Sequence, residues 1–269
     1  DQNSLYDTLP MYQALAESKN TSAVWLLDKL GIQKGIAKLE DFGISIGEAD
    51  ENLGAIALGG MSTGVSPVQL ASAYTTFVNE GVRTQARFIT KIVDATGAVI
   101  VDNTKPKTNR VTTAAVAEEM TSMLMGVYAD GGTGASAQPS NGMVIAGKTG
   151  TTELDRETGY IKSQWMVGYT PDLVVATWLG YDKTNEIYNL NNAGKTMANL
   201  YSAEMGALLS ISPQTEFAVA AAEETYDSGI INGLKNGLDE FMNDMGSFGQ
   251  SLGEGSKKLF DWANEAFGQ

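Results

Sequence analysis

The sequence predicts an α+β fold in which an antiparallel sheet carries helices on its faces. Three observations lead there. Apolar runs at 143–146, 165–169 and 173–179 have strand length, and the connections between them are short enough for hairpins. Thr170-Pro171-Asp172, which joins the last two, is turn chemistry. Around these runs stand helical segments with their own start and stop signals, of which Met197–Leu209 is expected to pack on one face of the sheet.

Taken in order, Pro10–Glu17 reads as a short helix, with Pro10 in the first turn where its missing N–H costs nothing. It stops at Ser18-Lys19-Asn20. A second helix follows, capped by Thr21 or Ser22 and closed by Gly31. The stretch 53–64 is glycine-rich, with Gly59-Gly60 as a tight turn. The next helix is fully punctuated: Ser66 as N-cap, Pro67 at the first position, Gln69 completing a capping box, Leu70, Ala73, Tyr74 and Phe77 on one stripe, and Gly81 as the stop. Two apolar runs, 88–93 and 98–101, flank Asp94-Ala95-Thr96-Gly97 as a hairpin. Residues 114–128 form a helix with Met120, Met123, Leu124 and Val127 spaced for burial, broken by Asp130-Gly131-Gly132-Thr133-Gly134. Residues 153–163 carry five charges and a glycine and read as a solvated loop, placed where it could also serve as a lid. A last helix runs from Met197 to Leu209.

At Pro213 the composition changes. The chain is expected to divide into a globular part, 1–211, and an acidic amphipathic tail, 212–269, with ten acids against three lysines. The tail has a 3-4 apolar seam through Ile231, Leu234, Leu238, Phe241, Met245, Phe248 and Leu252, yet its eight glycines oppose a self-sufficient helix.

Composition excludes much. The 269 residues hold 18 Lys+Arg against 32 Asp+Glu, a net charge of −14, which repels nucleic acid and anionic membrane surfaces. With no His and no Cys, a Ser-His-Asp triad, a thiol nucleophile and a His- or Cys-ligated metal are all impossible. Acid–base chemistry falls to Lys, Asp, Glu, Tyr and Ser; neither metal nor cofactor is expected. No apolar run reaches membrane-spanning length.

One stretch concentrates chemistry. Lys148-Thr149-Gly150-Thr151-Thr152 follows the apolar run 143–146 and reads as a strand end stripped of bulk, where a ligand can approach the backbone. Lys148 supplies a point charge with three donors, and Thr149, Thr151 and Thr152 supply hydroxyls. On local grounds the same residues also fit an ordinary strand end, and Ser18 and Asn20 fit ordinary helix-end chemistry.

Together, Ser18-Lys19-Asn20 and Lys148-Thr149-Gly150 resemble the second and third motifs of the penicillin-recognising serine enzymes. The stretch 58–74, the sequence Gly147–Thr152 and the run from Trp165 to Asp182 are similar to the class A, bifunctional penicillin-binding proteins, over residues 10 to about 209. The resemblance implies a D,D-transpeptidase that cross-links peptidoglycan stem peptides through a serine acyl-enzyme and is the target of β-lactams. By the same resemblance Ser18 would shuttle a proton to the leaving amine, Asn20 would hold the substrate amide, Lys148 would hold Ser18, and Thr149 and Thr151 would bind the terminal carboxylate. The Thr151 N–H would be half of an oxyanion hole; Gly150 and Thr152 complete the binding strand. The family's S-x-x-K is missing, since no lysine has a serine three residues before it. The chain is therefore expected to be the C-terminal part of the domain, inactive alone, needing an upstream part of the same polypeptide for the nucleophile and for the rest of the sheet. The parent would sit at the outer face of the bacterial cytoplasmic membrane, anchored by a segment not in this sequence. Two alternatives stay open: a non-catalytic penicillin-binding sensor or partner module, and a serine β-lactamase, although nothing between Asn20 and Lys148 resembles the loop glutamate that a β-lactamase uses for deacylation.

Overall fold

A computed structural model describes residues 9–62, 64–155, 160–190 and 193–222. Pro10 stands at the N-cap of α1 (Met11–Ala16). Ser18 then takes φ 55°, and this left-handed residue turns the chain so sharply that α2 (Asn20–Leu30) begins at once, with Lys19 as its N-cap. Thr21 and Ser22, the expected caps, lie inside the helix instead. Gly31 ends it at φ 93°, and α3 (Ile32–Asp41) follows.

The glycine-rich stretch holds a helix the composition concealed. Asn52 accepts the Ala55 N–H at 2.9 Å and caps α4 (Leu53–Leu58), and the turn begins only at Gly59. In α5 (Pro67–Val78) both halves of the expected capping box form between Ser66 and Gln69. The helix stops at Val78, three residues before Gly81.

Two small antiparallel pairs follow: β1 (Val82–Thr84) with β4 (Thr108–Arg110), and the predicted hairpin as β2 (Lys91–Val93) and β3 (Val99–Asp102). Helix α6 (Ala114–Met125) is capped by Thr113 and buries Leu124 and Met125.

The main sheet has the order β5 (Ala146–Asp155), β6 (Tyr160–Tyr169), β7 (Val174–Gly180), all antiparallel. This agrees with the expectation for the three apolar runs, with two corrections. Strand β5 starts at Ala146 rather than Met143, so Lys148–Thr152 lies in the body of the strand and not at its end. Residues 153–155 and 160–163, expected as a solvated loop, continue the β5–β6 ladder, with Thr152 opposite Ser163 and Asp155 opposite Tyr160. A long two-stranded extension satisfies its backbone across the ladder whatever its side chains carry, so charge density alone misjudged it.

Both faces of the sheet are covered. Alternate residues of β6 point to opposite sides. On one side Gly168 lies against the Tyr201 hydroxyl of α7 (Ala193–Leu209), and Thr177 of β7 donates to Glu204 at 2.6 Å. On the other, Tyr169 meets Tyr74 and Phe77 of α5 and shares a 2.8 Å hydrogen bond with Thr121 of α6. Leu124, Tyr128, Ile145, Met166, Met197, Tyr201 and Met205 fill the space between. At roughly 1.5–3 kcal/mol for each large apolar side chain fully buried, this cluster dominates the stability of the fold. The packing does not stop at residue 211. Thr215 donates twice to Asp172, Ser122 donates to the Ala220 carbonyl, and Phe217, Val219 and Ala221 pack on the core. The seam expected from Ile231 onward lies outside the described residues.

Candidate active site

The site forms where β5, the edge strand of the sheet, meets the turn between α1 and α2. Among the described residues β5 has one ladder partner, β6, so its other edge faces that turn. Lys148 donates to the Ser18 hydroxyl at 2.8 Å and to the Thr149 carbonyl at 3.1 Å. Two residues 130 positions apart are thus in direct contact. Burial pushes the Lys148 ammonium down to about 8 from its ordinary value of 10.5. At neutral pH it remains mostly charged, yet it can lose a proton far more readily than a surface lysine.

Because the ammonium has only hydrogens to offer, Ser18 must accept from it, and the serine's own proton is left free to point into the cleft. Ser18 is exposed, and its left-handed backbone costs energy that a glycine would not incur. That strain sits at the residue whose hydroxyl meets Lys148. Asn20, the first residue of α2, presents an exposed side chain two positions on. Lys19, between them, points to Glu17 in a 2.8 Å ion pair.

Along β5, Gly147 and Gly150 do different things. A Cβ on Gly147 would stand 1.9 Å from the Val167 carbonyl oxygen, so only glycine lets β5 pair with β6 beside Lys148. At Gly150 a Cβ would meet Trp165 at 3.3 Å, a tight but not forbidden contact. Thr151 is exposed and Thr152 half-buried. Thr149 makes a contact the sequence did not suggest: its hydroxyl lies 2.7 Å from that of Thr133. Thr133 belongs to the glycine cluster after α6, read from sequence only as a helix breaker; the glycines were the available signal, since such clusters also let a backbone approach another element closely.

The arrangement holds a polarised serine, a lysine of lowered basicity and an open strand edge, with a threonine pair beside them. It is suited to binding an extended, carboxylate-bearing chain and to passing a proton to it. Among the described residues no group of acidic side chains is arranged to hold a metal ion, and no helix is long and apolar enough to cross a membrane.

Comparison with known proteins gives the same direction. Residues 1–203 match the family model for the penicillin binding protein transpeptidase domain. Penicillin-binding protein 2a of Streptococcus pneumoniae is 40% identical over 217 residues, 80% of this chain and 29% of that protein. Penicillin-binding protein 1F of Bacillus subtilis is 38% identical over 191 residues, 71% of this chain and 26% of that protein. The chain therefore spans less than a third of either relative. Among solved structures, PonA1 of Mycobacterium tuberculosis in complex with penicillin V superposes with a TM-score of 0.65 at 25% identity, over 82% of this chain and 61% of that one. Penicillin-binding protein 1A of Haemophilus influenzae superposes with a TM-score of 0.62 at 24% identity, over 81% and 37%. The chain belongs to the penicillin-binding protein transpeptidase family, as part of the transpeptidase domain of a class A member.

Proposed function

We propose that this chain is the part of a peptidoglycan D,D-transpeptidase that grips the stem peptide and handles the leaving-group proton, while a serine on an S-x-x-K segment outside this sequence is acylated. The observation that carries the proposal is the 2.8 Å contact between Lys148 and Ser18 beside an open strand edge. In the first half-reaction the acylating serine gives its proton to the lysine of its own S-x-x-K segment as it attacks the penultimate D-Ala carbonyl, and the C–N bond to the terminal D-Ala breaks; the proton returns to the serine when the ester is resolved. Ser18 delivers its proton to that nitrogen and is reprotonated from Lys148, whose lowered basicity favours the transfer. A second stem's amine then attacks the ester, and the same pair takes up its proton in reverse. Thr149 and Thr151 bind the terminal carboxylate, assisted by the positive charge of Lys148. Asn20 holds the substrate amide, and the Thr151 N–H stabilises the oxyanion. Gly150 and Thr152 keep the strand edge open to an extended ligand. β-Lactams acylate the same serine. The protein works at the outer face of the bacterial cytoplasmic membrane, and this chain by itself is inactive.

The test is labelling of the full-length protein with a fluorescent penicillin. A persistent adduct is expected on a serine outside residues 1–269, with acylation slowed at least a hundredfold by Ser18→Ala or Lys148→Ala, the loss typical of removing a general acid–base group. Stem-peptide cross-linking should fall in step. An adduct that clears rapidly would mean a β-lactamase, and a stable adduct without cross-linking would mean a sensor module; either result rejects the proposal.

A further inference from the structure

Two hydroxyls 2.7 Å apart have one hydrogen between them, so one threonine donates and the other accepts. If Thr149 donated to Thr133, its oxygen would show only lone pairs to a carboxylate and repel it. If Thr133 donates, the Thr149 hydrogen is free to turn outward. We propose that Thr133 is a positioning residue of this site: it donates to Thr149 and thereby aims the Thr149 hydrogen at the carboxylate of the incoming ligand. Thr133 acts in this way only if Thr149 binds a carboxylate, as proposed above.

What holds Thr133 is independent of Thr149. Its N–H donates to the Ala16 carbonyl at 3.1 Å, two residues before Ser18. On one side, Gly132 has no room for a side chain, because a Cβ would stand 2.3 Å from the carbonyl oxygens of Gly126 and Val127. On the other, the Gly134 N–H donates to Val127 at 2.8 Å. Beyond it the chain reaches α7, where Ser202 donates to the Gln138 carbonyl at 3.2 Å. The segment after α6 thus passes the free edge of β5 with its backbone fixed before and after Thr133. One residue therefore sets both the seat of the Ser18 turn, through its main chain, and the hydrogen of Thr149, through its side chain. Because a donor that is already placed need not be ordered when the ligand arrives, the second link strengthens carboxylate binding without new contacts.

The main-chain and side-chain links separate cleanly in a Thr133→Val variant, which keeps shape and N–H and loses only the hydroxyl. In the full-length protein, the second-order rate of acylation by a fluorescent penicillin should fall roughly tenfold, the upper end of what one neutral hydrogen bond is worth. The loss should lie in the apparent affinity, with the limiting acylation rate little changed. Thr133→Ser should return the rate to within about threefold of wild type, and Thr133→Val should slow a Thr149→Val background by less than about twofold. With the penicillin methyl ester, which has no carboxylate, wild type and Thr133→Val should differ by less than about twofold. Equal loss with acid and ester would assign Thr133 a purely structural role and overturn the proposal, as would a Thr133→Val protein that labels like wild type. Failure of the wild-type protein to be acylated at all would instead remove the functional reading on which Thr149's role depends, and this proposal with it.

Discussion

Gly147→Ala is the sharpest test of how β5 is held. The added methyl would lie 1.9 Å from the Val167 carbonyl oxygen and 2.7 Å from the Gly168 Cα, both backbone atoms of the paired strand. Ordinary non-bonded contact is about 3.5 Å, so the strands must part by well over 1 Å at this point, and no rotamer change can relieve it. Overpacking of this kind costs about 1–3 kcal/mol, and loss of one or two ladder hydrogen bonds adds about 1 kcal/mol each. A total near 3–4 kcal/mol corresponds to a fall in Tm of roughly 8–12 °C for a domain of this size. Gly206→Ala is the internal control: Gly206 lies within α7 with nothing within 4 Å of where a Cβ would stand. The same chemical change there should stabilise by about 0.5–1 kcal/mol, because alanine is the better helix former. Scanning calorimetry of the transpeptidase domain reads both variants. If Gly147→Ala melted within about 2 °C of wild type, or no lower than Gly206→Ala, the β5–β6 packing described here would be wrong.

Lys148, held below its ordinary pKa at about 8, opposes folding while it is charged. The penalty is full below pH 8 and fades as the pH rises toward 10.5, so wild-type stability relative to Lys148→Met should climb by roughly 1–2 kcal/mol between pH 7.5 and 9.5. A flat difference in urea unfolding would contradict the burial of this ammonium. The window ends there because buried tyrosines, Tyr74 among them at about 12, withdraw stability once the unfolded chain ionises above pH 10. Asp50 is buried, and its carboxylate accepts the Ser62 N–H at 2.9 and 3.0 Å and the Ser62 hydroxyl at 2.8 Å. Asp50→Ala should therefore cost about 2–3 kcal/mol and Ser62→Ala only about 1 kcal/mol; equal costs in denaturant titrations would count against the lock. Ser66→Ala removes the side-chain half of the α5 capping box, the acceptor for the Gln69 N–H, and leaves the Ser66 N–H bonded to Gln69; it should cost about 1 kcal/mol, with amide exchange accelerated in the first turn of α5 and nowhere else.

Residues that act on their near neighbours are the ones whose structural effect is legible in the sequence. Ser66, Pro67 and Gln69 fix the start of α5 within four residues, and the structure has the same box. Turn chemistry at Thr170-Pro171-Asp172 and apolar runs on either side of it were enough for the antiparallel order of β6 and β7, because a two-stranded hairpin is a local object. Composition alone removed imidazole and thiol chemistry from consideration. Where local signals compete, residue type misleads. Residues 53–58 read as part of a glycine-rich stretch and form α4 behind the Asn52 cap, and residues 153–155 and 160–163 read as a solvated loop and continue a ladder.

The sequence also held the two motifs of the candidate site, but nothing in their spacing says that they touch. Ser18 and Lys148 meet because α1, packed against α6, and β5, packed on the same core, are brought to one edge of the sheet. The lowered basicity of Lys148 is likewise a property of burial, which exists only once the helices cover the sheet. Thr133 is the clearest case. Its residue type predicts nothing, and its part in the site comes from a carbonyl at Ala16 and a hydroxyl at Thr149 that are distant along the chain. What the sequence determined by itself was the chemistry available and the local elements, since these depend on residue type and on spacing over a few positions. What the tertiary structure decided was which groups share a hydrogen bond and which lose their water, since both depend on distances that only packing sets.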